Sequence, residues 1–392
     1  MEVCETPKNI GLRGVTIADT RVGDVDGKAG RLVYRGYLIT DLAGKVSYEE
    51  VAHLLLEEKL PDREELASFA AALVAERGLP PEVINGMRTF PRTAVPMDVL
   101  QAAVAMLAHH DPDLSDTFRE ANLRKAIRLV AKLPTVVAAW HRIRNGNDPV
   151  EPDPKLGHSA DFLYMLHGRH PGDEVASCFD TAMVLHAEHG FNASTFAARE
   201  VASTRAHMYA AVAAAIGSLS GDLHGGANAR VMQMLLHIGT PERVESYVKE
   251  KLDAGDKIMG LGHAVYHVDD PRAHILAPMS RRVGERSGET KWYEISRLLE
   301  KTAKEEFRKR KGWDIPVNVD FYSASLYYAM HIPIDLFSPI FAMGRVAGWT
   351  AHVIEEQFAE AAPKPMLYRP ESEYVGHYCG PEVCSFVPID ER

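Results

Sequence analysis

The sequence predicts a mainly α protein with a small β-hairpin near its start, and three observations predict it. Apolar residues recur at helical spacing through most of the chain, and several of these runs open on capping signals. Only the first forty or so residues alternate apolar with polar positions around a turn. That early stretch, "GVTIADTRVGDVDGKAGRLVYRGYLITDLA", centres on the turn signal "DVDGKAG" and reads as the hairpin. Ser47 and Glu50 then form a capping box ahead of "VAHLLLEEKL", and Asp62 with Glu65 repeats it ahead of "LASFAAALVAERG". In the second of these Leu66, Phe69, Leu73 and Val74 fall on one face, and Gly78 with "LPPE" ends it. The helical period continues in "MDVLQAAVAML", "LRKAIRLVAKLPTVVAAWHRIRNG", Ser159 to Leu166 and "EVASCFDTAMVLHAEHG", with the turn-rich "NGNDPVEPDPKLGH" among them.

A chain of 392 residues can bury a large core and support two structural units. Three changes of texture suggest how they are arranged. Small residues crowd from Ala210 to Gly226, charges dominate from Arg281 to Lys311, and long apolar helices return after Tyr322. This reads as a small domain, 222–324, inserted into a large helical domain made of 1–221 and 325–392, with a cleft between them. No internal repeat or low-complexity tract interrupts the pattern.

The balance of residues, 46% hydrophobic and 25% charged, is that of an ordinary soluble protein. A net charge of −10 and a pI near 6.0 argue against a nucleic-acid or anionic-membrane surface, so any phosphate on a ligand has to be met by a local pocket. The start, "MEVCETPKNIG", has no basic stretch before an apolar run, and "MYAAVAAAIGSL" is too short to span a bilayer, so a cytoplasmic protein is expected. The 4 cysteines are too few for a disulfide scaffold. In "HYCGPEVC", His377, Cys379 and Cys384 are three potential metal ligands, yet no second cluster completes a tetrahedral site, and ordinary thiols with no metal are expected.

Chemistry collects in six places. "LHAEHGFNAS" sets His186 and His189 on one helix face, without the glutamate spacing of a zinc helix. "GDLHGGAN" presents His224 ahead of two glycines that let a ligand approach the backbone. "IMGLGHAVYHVDDPR" places His263 on a glycine-broken turn with Arg272 behind Pro271, a proton donor beside a fixed fork for carboxylates. In "VNVDFYSAS", Asp320 has apolar neighbours that would raise its pKa and suit it to general-base work, or it caps the following helix. Arg345, inside the apolar "FAMGRVAGW", needs an anion, and Arg369 follows in "LYRPESEYVG". Three arginines suit a substrate with two or more carboxylates. Dinucleotide, P-loop, serine-elbow and CxxC signatures are all missing.

The order and spacing of "VDGKAGRLVYRGY", "LHAEHGFNAST", "LHGGAN", "IMGLGH", "DPRA", "NVDFYS", "RVAGWTAH" and "YRPESEYVG" resemble citrate synthase over nearly the whole chain. The resemblance implies an almost all-helical homodimer whose small domain closes over the substrates. It implies an acyltransferase of the tricarboxylic acid cycle that condenses acetyl-CoA with oxaloacetate and hydrolyses citryl-CoA to citrate. The CoA thioester would be a co-substrate, with no tightly bound cofactor. Position by position, Asp320 resembles the base, His224 the donor to the enol oxygen and His263 the donor to the oxaloacetate carbonyl. His189, Arg272, Arg345 and Arg369 resemble the dicarboxylate ligands, Arg369 from the neighbouring subunit. Lys257, Ile258, Met259, Gly260 and Leu261 would lie near the CoA adenine, with Asn318 near its chain.

Two positions depart from the family's pattern: His267 stands where lysine or arginine is common, and Asp222 where proline is usual, both weakening the expected hold on CoA. The related chemistries are 2-methylcitrate synthesis from propionyl-CoA, which Ala324 resembles while "NVDFYS" does not, and citryl-CoA cleavage or citrate formation run backwards. A non-catalytic sensor of CoA or citrate is the reading from outside enzymology.

Overall fold

The computed structural model describes residues 11–12, 14–376 and 387–391; Cys4, His377, Cys379 and Cys384 lie outside the described residues. Strand β1, Gly23–Asp26, pairs antiparallel with β2, Arg31–Tyr34, in the register Gly23↔Tyr34 to Asp26↔Arg31. The expected hairpin is therefore present, and its turn is closed by Asp26, whose Oδ1 accepts from the N–H groups of Lys28 (3.0 Å) and Ala29 (2.9 Å). A third short strand, β3 at Tyr37–Leu38, continues the sheet after a reversal at Arg35–Gly36, where φ is +42° and +91°. Alternation alone does not separate β3 from β2, because two residues are too few to carry a period.

The rest of the described chain is helical, with 16 α-helices and three 3-10 turns. Both predicted capping boxes form: Ser47 opens Tyr48–Glu57 with Glu50 reaching back, and Asp62 opens Arg63–Glu76 with Glu65 reaching back. Among the described residues no helix is long and apolar enough to cross a membrane.

The helix Phe337–Phe358 is the axis of the core. It is buried on nearly every side and packs on Arg119–Arg144, Asp173–His186, Ala193–Ser203 and Met208–Leu219. Its small residues explain how. A Cβ on Gly348 would stand 2.3 Å from the Ala187 carbonyl oxygen, so only glycine allows the end of Asp173–His186 to come this close. That approach sets Arg345 against the His186 carbonyl.

A second group, Ala227–Ile238, Val244–Asp253, Pro271–Ser287, Thr290–Lys311 and Val319–Ala329, packs largely on itself. It touches the first group where Pro271–Ser287 meets Asp173–His186 and where Ala227–Ile238 meets Phe337–Phe358. The Val319–Ala329 helix runs unbroken past residue 324, where the expected small domain ends. Helix termini from both groups, with the hairpin, surround one cavity.

Candidate active site

A cavity of about 670 Å³ is walled by His189, His224, His263, Arg272, Asn318, Asp320 and Arg345, residues that come from five separate stretches of sequence. The β1 residues Gly23, Asp24 and Val25 form one side of it.

Arg345 and Arg272 make it cationic, in different ways. Arg345 is buried, its Nε donates to the His186 carbonyl (2.6 Å), and its guanidinium lies 4.8 Å from the Phe341 ring centroid. It forms no ion pair among the described residues, and burial pulls its pKa down to about 10, partly offset by Glu188. A cation left unpaired in the interior is costly unless a ligand supplies the anion. Arg272, equally buried, is already half neutralised: Asp270 accepts from its Nε (2.9 Å) and Nη2 (2.7 Å), while Nη1 reaches the Leu185 carbonyl (3.4 Å). Asp270 also caps the Pro271–Ser287 helix through the Arg272 N–H (3.0 Å). Burial alone would raise the Asp270 carboxyl, but Arg272 outweighs it and holds the group below its ordinary value.

The three histidines are neutral. Burial, then Arg272, draws His263 down to about 4, and burial, then Arg345, draws His224 down to about 4. His189 is pushed well below its ordinary value by burial and by both arginines. Hydrogen bonds assign the tautomers of two of them. His263 Nδ1 accepts from the N–H groups of Val265 (2.9 Å) and Tyr266 (3.0 Å), which leaves the ring proton on Nε2. His224 Nε2 accepts from Ser194 N–H (3.2 Å) and lies 2.9 Å from Ser194 Oγ, which leaves the proton on Nδ1. Each ring therefore offers one N–H that its anchor does not use. His189 packs edge-on to His263 and Tyr266, both at 5.6 Å, and its buried Nε2 has no partner.

Asp320 stands in the first turn of Val319–Ala329, and the cap of that helix is Asn318, whose Oδ1 accepts the Asp320 N–H (3.1 Å). The capping alternative for Asp320 is thus taken by its neighbour, and its carboxyl is free for the cavity. Burial raises its pKa to about 6 against the pull of Arg272. Desolvation outweighs even the helix N-terminus, which favours a carboxylate.

The stretch Lys257–Leu261 lies beside the cavity rather than in its wall. Leu261 bridges to Val317, Asn318 N–H donates to the Gly260 carbonyl (3.0 Å), and Asn318 Nδ2 donates to the Gly262 carbonyl (3.1 Å). Ile258 and Gly260 are buried, Met259 and Leu261 half-buried and Lys257 exposed. Arg369 is exposed and outside the cavity of its own chain.

Two residues that the sequence reading passed over support the site. Ser194 anchors His224, and Trp349 Nε1 donates to Ser194 Oγ (3.2 Å). The signal was available in "NAST": Asn192 caps Ala193–Ser203, which fixes Ser194 in the first turn, against His224. His189, His263 and Asp270 are also close enough to share a metal ion. Asp270 is engaged by Arg272, however, and two buried guanidinium groups beside the histidines suit an anion, not a cation.

Fold and cavity together define a class: a helical protein whose cavity sets two buried arginines beside a carboxyl of raised pKa and two oriented imidazoles. A family model described as "Citrate synthase, C-terminal domain" matches residues 11–371. The chain belongs to the citrate synthase family. It is 47% identical to the citrate synthase of Haloferax volcanii over 97% of this chain and 98% of that protein. It is 41% identical to the 2-methylcitrate synthase of Mycobacterium tuberculosis over 94% of this chain and 90% of that one. Among solved structures it resembles the ternary complex of carboxymethyl coenzyme A and oxaloacetate with the citrate synthase of Thermoplasma acidophilum. There the TM-score is 0.87 at 31% identity, covering 97% of this chain and 98% of that chain.

Proposed function

We propose that the chain is a citrate synthase, condensing acetyl-CoA with oxaloacetate and water to give citrate and CoA. The observation that carries the reading is the raised Asp320 carboxyl in one cavity with two oriented, uncharged imidazoles and two buried arginines.

A thioester α-proton is too weakly acidic for a carboxylate alone, so the developing enolate oxygen needs a placed donor. His224 has its proton on Nδ1 and fills that role while Asp320 takes the methyl proton. The enol carbon then attacks the ketone of oxaloacetate, whose oxygen takes the Nε2 proton of His263 as negative charge develops on it, and His263 regains a proton from the water that later cleaves the thioester. Citryl-CoA forms, and water cleaves its thioester to citrate and CoA. Arg345 meets one oxaloacetate carboxylate as the counter-ion it lacks within the chain, and Arg272, with His189, meets the other end.

The two helix groups are read as a large and a small domain that close over these substrates, excluding water during condensation. Arg369, exposed on its own chain, is assigned to the site of a second copy in a homodimer. The CoA thioester is a co-substrate whose adenine lies near Lys257–Leu261 and whose chain passes Asn318. His267 is exposed and shares a groove with Lys28 and Arg31, but Asp24 and Asp26 line it too and both pair with Arg31. A cytoplasmic location fits this set of substrates.

Free-thiol release from acetyl-CoA and propionyl-CoA, each with and without oxaloacetate, tests the function. Oxaloacetate-dependent release with the larger kcat/KM for acetyl-CoA is expected. A larger value for propionyl-CoA would make the chain a 2-methylcitrate synthase, a discrimination of one methylene worth about 1–3 kcal/mol.

A further inference from the structure

The N-terminal hairpin touches both sides of the cavity. On one side Gly23 faces Glu188, where an added Cβ would stand 2.9 Å from Cγ, and Val25 packs on Gly190 next to His189. Tyr34, at the end of β2, donates its hydroxyl to the carbonyls of Val184 (3.2 Å) and Leu185 (3.3 Å). On the other side the turn meets the segment that carries His263. The His267 N–H donates to the Gly27 carbonyl (2.8 Å), and Gly30 faces Val268. A Cβ on Gly27 would lie 2.0 Å from the Val265 carbonyl oxygen and 2.6 Å from its carbon. Both are backbone atoms, so no side-chain rotation relieves the overlap.

We propose that Gly27 is a positioning residue for the condensation: the turn is a docking stop that holds the 263–268 segment, and so fixes the distance of His263 from the opposite wall. The inference rests on the role given to His263 above. The Val265 carbonyl that abuts Gly27 and the Tyr266 N–H that anchors His263 Nδ1 belong to one peptide unit, so a displacement at Gly27 passes directly to the imidazole. Gly27 is not among the positive-φ glycines, so the overlap with Val265, and not a left-handed backbone, is what bars a side chain there. Gly36 is the converse: its φ is +91° and a Cβ would meet nothing within 4 Å, so alanine strains the sheet without blocking the contact.

The test compares the whole enzyme with Gly27→Ala, Gly36→Ala and His263→Ala, measuring oxaloacetate-dependent thiol release from acetyl-CoA and the thermal midpoint. Gly27→Ala is expected to lower kcat/KM for oxaloacetate at least about tenfold, as misplacing a reacting group does. Its thermal midpoint should fall less than that of Gly36→Ala, which should keep near-parental kcat/KM. Parental kinetics in Gly27→Ala, or equal losses of activity in the two glycine variants, would overturn the inference. Hydrogen exchange of the unmutated enzyme decides the matter without any variant: oxaloacetate should slow exchange in 264–268, and an unchanged rate contradicts a docking stop. His263→Ala separates the two levels. Full activity in that variant would remove the reading of His263 itself, whereas its inactivity beside a parental Gly27→Ala would remove only the role of Gly27.

Discussion

At the residue scale, Asp320 and Arg345 carry opposite burdens of the same enclosure. The Asp320 carboxyl sits near 6, above the ordinary 3.8, so the base is ionised only above that pH. With His224 and His263 neutral down to about 4, no imidazole adds a limb above pH 5. The kcat/KM for acetyl-CoA should therefore fall on the acid side of a single limb near pH 6, and a flat profile from pH 5 to 8 would remove Asp320 as the base. The stability sign follows from the same shift. A carboxyl raised on folding costs nothing below about pH 4, costs progressively more as pH rises from there to its folded value near 6, and costs a constant amount above it. Asp320→Asn should thus raise stability by on the order of 2–3 kcal/mol at pH 8 and by nothing at pH 4, read by thermal melts. For Arg345→Leu, the oxaloacetate KM should rise by about a hundredfold with the fold intact, because the variant loses a charge-assisted contact but also a buried charge. An unchanged KM would place the substrate carboxylate elsewhere.

Element by element, legibility depended on how local the signal was. The capping boxes at Ser47 and Asp62 were readable because both partners lie within one turn, and both formed. The hairpin was readable from its turn, whereas β3 was too short to have a period of its own. Arg345 was legible as a buried charge seeking an anion, since the apolar run around it spoke for burial. That Asp270 neutralises Arg272 was only half legible: the cap was local, but the ion pair depends on how the chain turns at Pro271. Ser194 and Trp349, which lie 155 residues apart, meet only because Phe337–Phe358 packs against Ala193–Ser203, and no local pattern announces such a contact. Gly348 makes the same point for packing. Gly348→Ala should destabilise the protein by about 1–3 kcal/mol, as overpacking against a fixed carbonyl does, and a melt unchanged from the parent would show that the two helices can separate freely.

At the scale of the whole molecule, the cavity exists because two groups of helices and one hairpin each contribute a wall. None of the walls holds a complete site: Arg345 and His189 come from one group, Asp320, His263 and Arg272 from the other, and the hairpin spans both. Under the proposed function, such a division would let substrates enter before the acid–base set is assembled. The described chain also leaves Arg369 in solvent with Met366 and Leu367 exposed beside it. The measurement that bears most directly on this account is oxaloacetate-dependent thiol release from acetyl-CoA by the parent and by Asp320→Asn, made at pH 8 on proteins of matched thermal stability or better. Robust release by the parent, with a loss of at least about a hundredfold in the variant, is the predicted result. Equal rates in the two proteins, or release that ignores oxaloacetate, would contradict it.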